Sequence, residues 1–188
     1  MEYYMMQPPM EKVVFKEMKK KEAQAYFDWY MSEIPVRIEM LKEVVKEEAN
    51  IDLDYSLESL VSLWDWYETK IYYVDRDKDL YQKALDEAPE WFKPYVSDKF
   101  LSYETLMYAM DIAIYYAEII VRNNNQIYWG YFTKPKNRSG VNEPTLLGIP
   151  GNYDLNPREI VLVLTRKSAK EKNKNRLVDN YNTWMKYL

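Results

Sequence analysis

One stretch dictates how the rest of this chain must pack: Ser102 to Ile149, which opens with an unbroken apolar helix pattern running to about Asn123. Leu106, Met110, Ala113, Ala117 and Ile120 recur at steps of three and four, the spacing of one helical face. Polar residues are few. At about 100° per residue, Glu104, Asp111, Glu118 and Arg122 fall within about 40° of one another, a single narrow wet stripe. A helix with so thin a polar edge has to be covered on most sides, which predicts a bundle gathered round it. A Trp-bearing strand, Ile127 to Thr133, a basic loop, Lys134 to Gly140, and a returning strand, Val141 to Ile149, complete the stretch. Pro144 argues for an edge position of the returning strand.

The remaining chain reads as partners for that helix. Lys21 to Met31 and Val36 to Ala49 have helical periodicity, with a kink or break expected at Pro35, which removes a backbone donor. Ser56 is an N-cap for a helix to about Thr69, and Asn156-Pro157-Arg158-Glu159 is a second helix start. A last helix carries Leu177, Tyr181, Trp184 and Leu188. Asp75 to Asp79 alternates acids but lacks the glycine and distal Glu of a calcium loop, so it reads as a turn opening a helix from Leu80 to Ala88. Pro89 and Pro94 bracket Trp91 and Phe92 in a bend expected to tuck both rings under the core. All four glycines lie between Gly130 and Gly151. The fold class predicted is mainly α: a single-domain helical bundle of six or seven helices with one small antiparallel β-hairpin. Residues 1–188 make one domain, with 1–20 a frayed start or brief strand.

Residue types that are missing narrow the chemistry. The chain has no Cys and no His. That excludes thiol nucleophiles, disulfides, thiolate zinc sites, histidine general bases and histidine-ligated metals. Carboxylates, Lys, Tyr or an oxygen-ligated cation are what remain. No cofactor and no metal is assigned. The opening residues lack a secretory pattern and no apolar run is long enough to span a bilayer, so cytoplasmic residence is expected, with no membrane partner. The 19 Tyr and 6 Trp are read first as core and core-rim packing, and second as partner anchors.

Charge is unevenly spread. Asp28 to Glu68 holds eleven acids against three bases, and Arg122 onward holds twelve bases against five acids. The favoured expectation is that the two halves neutralise each other inside the fold. The alternative is an acidic face free for a basic partner.

Two constellations are candidate sites. Asp111 and Glu118 lie seven residues apart on one helix face, a spacing that suits a general acid and base on a sugar. The bland account is a solvated stripe in which Glu118 pairs with Arg122. Lys134, Lys136 and Arg138 form a basic loop beside Trp129 and Tyr131; the net charge of −4 disfavours nucleic acid as its ligand.

The pattern Asp111-Ile-Ala-Ile-Tyr-Tyr-Ala-Glu118, then Trp129, Pro144-Thr-Leu-Leu-Gly148 and a Pro-initiated helix, resembles uncharacterised small proteins of Gram-positive bacteria. That group includes suspected immunity, or toxin-neutralising, factors. The resemblance covers the C-terminal half, supplies no catalytic residues and implies a protein binder. The expected function is a non-enzymatic interaction module of immunity type, binding a basic protein. Its expected contact residues are Trp129, Tyr131, Lys134, Lys136, Arg138, Glu43, Glu47 and Asp52. The alternative is a carboxylate-dependent hydrolase or glycan-binding protein using Asp111 and Glu118.

Overall fold

The computed structural model describes residues 3–187, apart from the side chain of Asn152. The chain is mainly α with small antiparallel β elements. Among the described residues the helices are α1 (Lys20–Ala49), α2 (Leu57–Glu68), α3 (Lys78–Glu87), α4 (Tyr103–Asn123), α5 (Pro157–Ser168) and α6 (Arg176–Met185). A two-stranded ribbon pairs β1 (Tyr73–Asp75) with β2 (Lys99–Leu101). A three-stranded antiparallel sheet has the order β3 (Tyr128–Gly130), β4 (Thr145–Ile149), β5 (Tyr153–Leu155). A two-stranded ribbon and a three-stranded sheet therefore stand where one hairpin is expected.

The apolar stretch becomes α4, started by Ser102, whose hydroxyl accepts the Thr105 N–H at 3.1 Å. Every residue from Asp111 to Ala117 is buried, so the middle of this helix is enclosed on all sides rather than most. It packs chiefly on α5 and then on α1. Burying Ile112, Ile114 and Ile119 contributes roughly 1.5–3 kcal/mol each. Tyrosine tips fasten the bundle, their rings in the core and their hydroxyls at polar seams. The Tyr115 hydroxyl accepts the Tyr55 N–H and bonds the Ser59 hydroxyl, each at 2.7 Å, tying α2 to α4. Tyr116 donates to Asn180 of α6 at 2.7 Å, and Tyr67 bonds Thr165 of α5 at 3.0 Å.

Several local expectations hold. Ser56 caps α2 by accepting the Ser59 N–H at 3.0 Å, and Asn156 caps α5 through the N–H groups of Arg158 and Glu159. Asp77 caps α3 by accepting from Asp79 and Leu80, which accounts for the alternating acids there. Others are corrected. Pro35 does not break the first helix: α1 runs 30 residues straight through it, with Pro35 on the exposed side, where water can serve the carbonyl left without a donor. Pro144 is not on an edge. It is buried just before β4, the middle strand, where its missing N–H costs no ladder bond. Gly148 sits at φ 92° in the irregular pairing of β4 with β5, and an added Cβ would stand 2.0 Å from the Gln126 carbonyl oxygen.

The segment expected to be frayed packs on the core over residues 3–18. It crosses the bundle as a strap, with Met6 and Met18 buried and Tyr3, Met5, Val13 and Phe15 packed on the core. Trp184 and Tyr181 join α6 to that core, while Leu188 lies outside the described residues. No helix among the described residues is long and apolar enough to cross a membrane.

Candidate functional site

The central carboxylates occupy different environments. Asp111 has no exposed surface. Both its oxygens accept from Arg37, at 2.9 Å from Nε and 2.6 Å from Nη2, and the Tyr3 hydroxyl donates to it as well. Arg37 is itself 1% exposed and lies against the Tyr3 and Tyr4 rings. Burial pulls its guanidinium down, but the Asp111 hydrogen bonds and charge outweigh that and hold it above its ordinary value. Asp111 is thus no part of a solvated stripe. Its partner lies 74 residues away, in α1.

Glu118 keeps 17% of its side-chain surface, accepts the Trp129 indole N–H at 2.8 Å and sits 3.8 Å from Arg122, the expected helical pair. Tyr30 packs on Trp129 with ring centres 5.6 Å apart and lies in the field of both carboxylates. Burial pushes its hydroxyl well above the usual phenol range. Asp111 is sealed by Arg37 and Tyr3, so it lacks the access to water that hydrolysis requires.

The expected contact residues are not brought together. Tyr131 donates to Gln24 at 2.7 Å and packs on Phe27; Lys136 donates to the Met18 carbonyl at 2.8 Å. Arg138 pairs with Asp154 and covers the Phe132 ring. Trp129 is held by Glu118, leaving Lys134 as the exposed member without a hydrogen bond among the described residues. Of these, Tyr131 and Lys136 lie at the start of α1, and Trp129 packs on Tyr30 about one to two turns further along it. Glu43, Glu47 and Asp52 belong to its far end, and from Gln24 to Glu47 the helix rises about 35 Å. The expected acidic and aromatic face is two surfaces.

The acidic and basic halves do pack together, α2 against α6, but without direct ion pairs between them. None among the described residues joins an acid of 28–68 to a base from Arg122 onward. Glu39 pairs with Lys42, Asp52 with Lys46 and Glu48 with Lys70, all nearby in sequence or at the helix end. Buried Glu68 does meet the basic turn, but through the Asn173 backbone N–H at 2.8 Å. Glu43 and Glu47 remain exposed and pair with no cation among the described residues.

Sequence reasoning missed an exposed aromatic surface. From Thr69 to Phe100 no residue is buried, although the segment carries seven aromatic side chains. Trp91 is 75% exposed, Tyr95 73%, Phe92 44% and Phe100 43%. The bend between Pro89 and Pro94 forms, with the Phe92 N–H donating to the Pro89 carbonyl at 2.8 Å, but it turns its rings outward. Trp91, Phe92 and Tyr95 touch one another instead, with ring centres 5.5 and 6.0 Å apart. This excursion is rooted at the acidic end of α1: Glu48 accepts from Lys70 at 2.6 Å and from the Trp66 indole at 3.2 Å. The usable signal was α3 itself, ten residues with too few apolar positions to reach a core.

No family model, no curated protein and no solved structure matches this chain.

Proposed function

We propose that the protein is a non-enzymatic interaction module that docks a basic protein partner where the aromatic excursion meets the acidic end of α1. One observation carries the reading: residues 69–100 expose six of their seven aromatics and bury no residue. Exposed aromatic clusters of this kind are costly to leave in water and are typical anchors of protein contacts. Unpaired Glu43 and Glu47 on the same end of α1 supply the field that selects a basic partner and speeds its encounter. The resemblance of the C-terminal half to suspected immunity factors supports a toxin as that partner, masked in an immunity-type complex.

The test is capture from host lysate by the parent, by Trp91→Ala/Tyr95→Ala and by Glu43→Lys/Glu47→Lys, each first checked for parental helicity. Support requires one stoichiometric basic protein, released by salt and lost with both variants. Retention of the same protein by both variants, or no retained protein, overturns the proposal.

A further inference from the structure

A second site lies away from that surface, beneath the N-terminal strap. Phe15 of the strap, Tyr26 and Trp29 of α1, and Leu106 and Met110 of α4 line an apolar cavity of about 380 Å³ that opens to solvent, with Arg158 of α5 as its one charged wall. The volume falls within the range of small-molecule sites, and one polar anchor in an apolar lining is their usual make-up.

Arg158 is the anomaly. Its side chain makes no ion pair and no hydrogen bond among the described residues, and its Nε is buried without a partner. The Phe15 ring centre lies 5.5 Å from its guanidinium carbon. Arg158 also stands in the first turn of α5, where the helix dipole adds positive potential. The carboxylates nearby are committed elsewhere: Glu143 accepts from Asn156 at 2.9 Å and Glu159 from Ser139 at 3.3 Å. Tyr26, 5% exposed, lines the same cavity, and its hydroxyl has no hydrogen-bond partner among the described residues. Tyr30, stacked on Tyr26 at 6.4 Å, has a buried hydroxyl with no partner either. Buried donors are nearly always satisfied, so the unpartnered Arg158 Nε, on a wall shared with a Tyr26 hydroxyl that makes no hydrogen bond among the described residues, marks a place for an acceptor.

We infer that this cavity binds a small monocarboxylate with an apolar tail, the carboxylate received by Arg158 and Tyr26 and the tail lying among Trp29, Leu106 and Met110. A guanidinium pairs with a carboxylate in two parallel hydrogen bonds, which a neutral head group cannot reproduce.

Calorimetric titration of the full chain with decanoate, and separately with decanol, tests this. Decanoate is expected to bind one to one and raise the melting temperature, with decanol about tenfold weaker or worse. Arg158→Gln should lower decanoate affinity by about tenfold while leaving decanol within about twofold. Met110→Trp, which fills the cavity, should abolish binding of both. Absence of decanoate binding, equal binding of the two ligands, or a stoichiometry well above one overturns the inference. Should Arg158→Gln fail to fold, the comparison of decanoate with decanol on the parent decides alone.

Discussion

Arg37 and Asp111 show how much a single buried contact is asked to do. Both are closed off from water, and each satisfies the other through paired hydrogen bonds of 2.9 and 2.6 Å. Such a pair gains little over well-packed apolar residues, because desolvating both charges costs about what their attraction returns. Removing one partner is another matter, since it strands a charge where no water can reach it. Asp111→Asn is therefore expected to lower unfolding free energy by about 3–5 kcal/mol, and Arg37→Met by a similar amount. Measured against the single variants Arg37→Met and Asp111→Leu, the double variant Arg37→Met/Asp111→Leu should recover most of the loss, giving a coupling of several kcal/mol in a urea-unfolding cycle. Additive losses in that cycle would show that the two side chains act independently. The same experiment bears on the hydrolase reading, in which Asp111→Asn removes an activity and leaves stability alone.

At the level of elements, local signals were legible wherever the physics is local. Ser56, Asn156 and Ser102 cap their helices because a side-chain oxygen reaches an N–H two or three residues on, and no distant contact is needed. The α4 periodicity was legible for the same reason. Pro35 was misread because its penalty is local but its compensation is not: apolar residues on both sides of it, Tyr30, Ile34, Ile38 and Leu41, are all buried, so packing carries the helix across. Asp111 was misread because nothing nearby announces Arg37. Trp91 and Phe92 were misread because apolarity says that a ring favours burial, not that a surface exists to bury it against. For the candidate docking surface, acids at one end of α1 were legible and their aromatic neighbours were not. If packing does hold α1 together over a missing hydrogen bond, Pro35→Ala should restore that bond and stabilise the protein by about 2 kcal/mol, read as a higher urea midpoint at unchanged slope. A lower midpoint would mean that the proline sets a bend on which the packing depends.

Across the whole molecule, tyrosine is the seam material, and that choice has a consequence at high pH. Tyr30, Tyr67 and Tyr116 are each 1% exposed or less. Burial raises all three hydroxyls well above the ordinary phenol value, the Thr165 hydrogen bond easing the shift for Tyr67 and the Tyr181 hydroxyl adding to it for Tyr116. An unfolded tyrosine loses its proton near pH 10, whereas these three keep theirs in the folded state. The native state then binds more protons than the unfolded one, so stability is intact below about pH 10 and falls as pH rises beyond it. Each fully buried hydroxyl contributes a slope of about 1.4 kcal/mol per pH unit, together about 4 kcal/mol. Set against the roughly 5–15 kcal/mol that holds a domain of this kind folded, that slope predicts cooperative unfolding one to a few pH units above 10. Circular dichroism and phenolate absorbance followed together check it: the last tyrosines should ionise in the same step that removes the helical signal. Ionisation of all 19 tyrosines with the helical signal intact would mean that water reaches these seams, and the enclosure of α4 would be wrong.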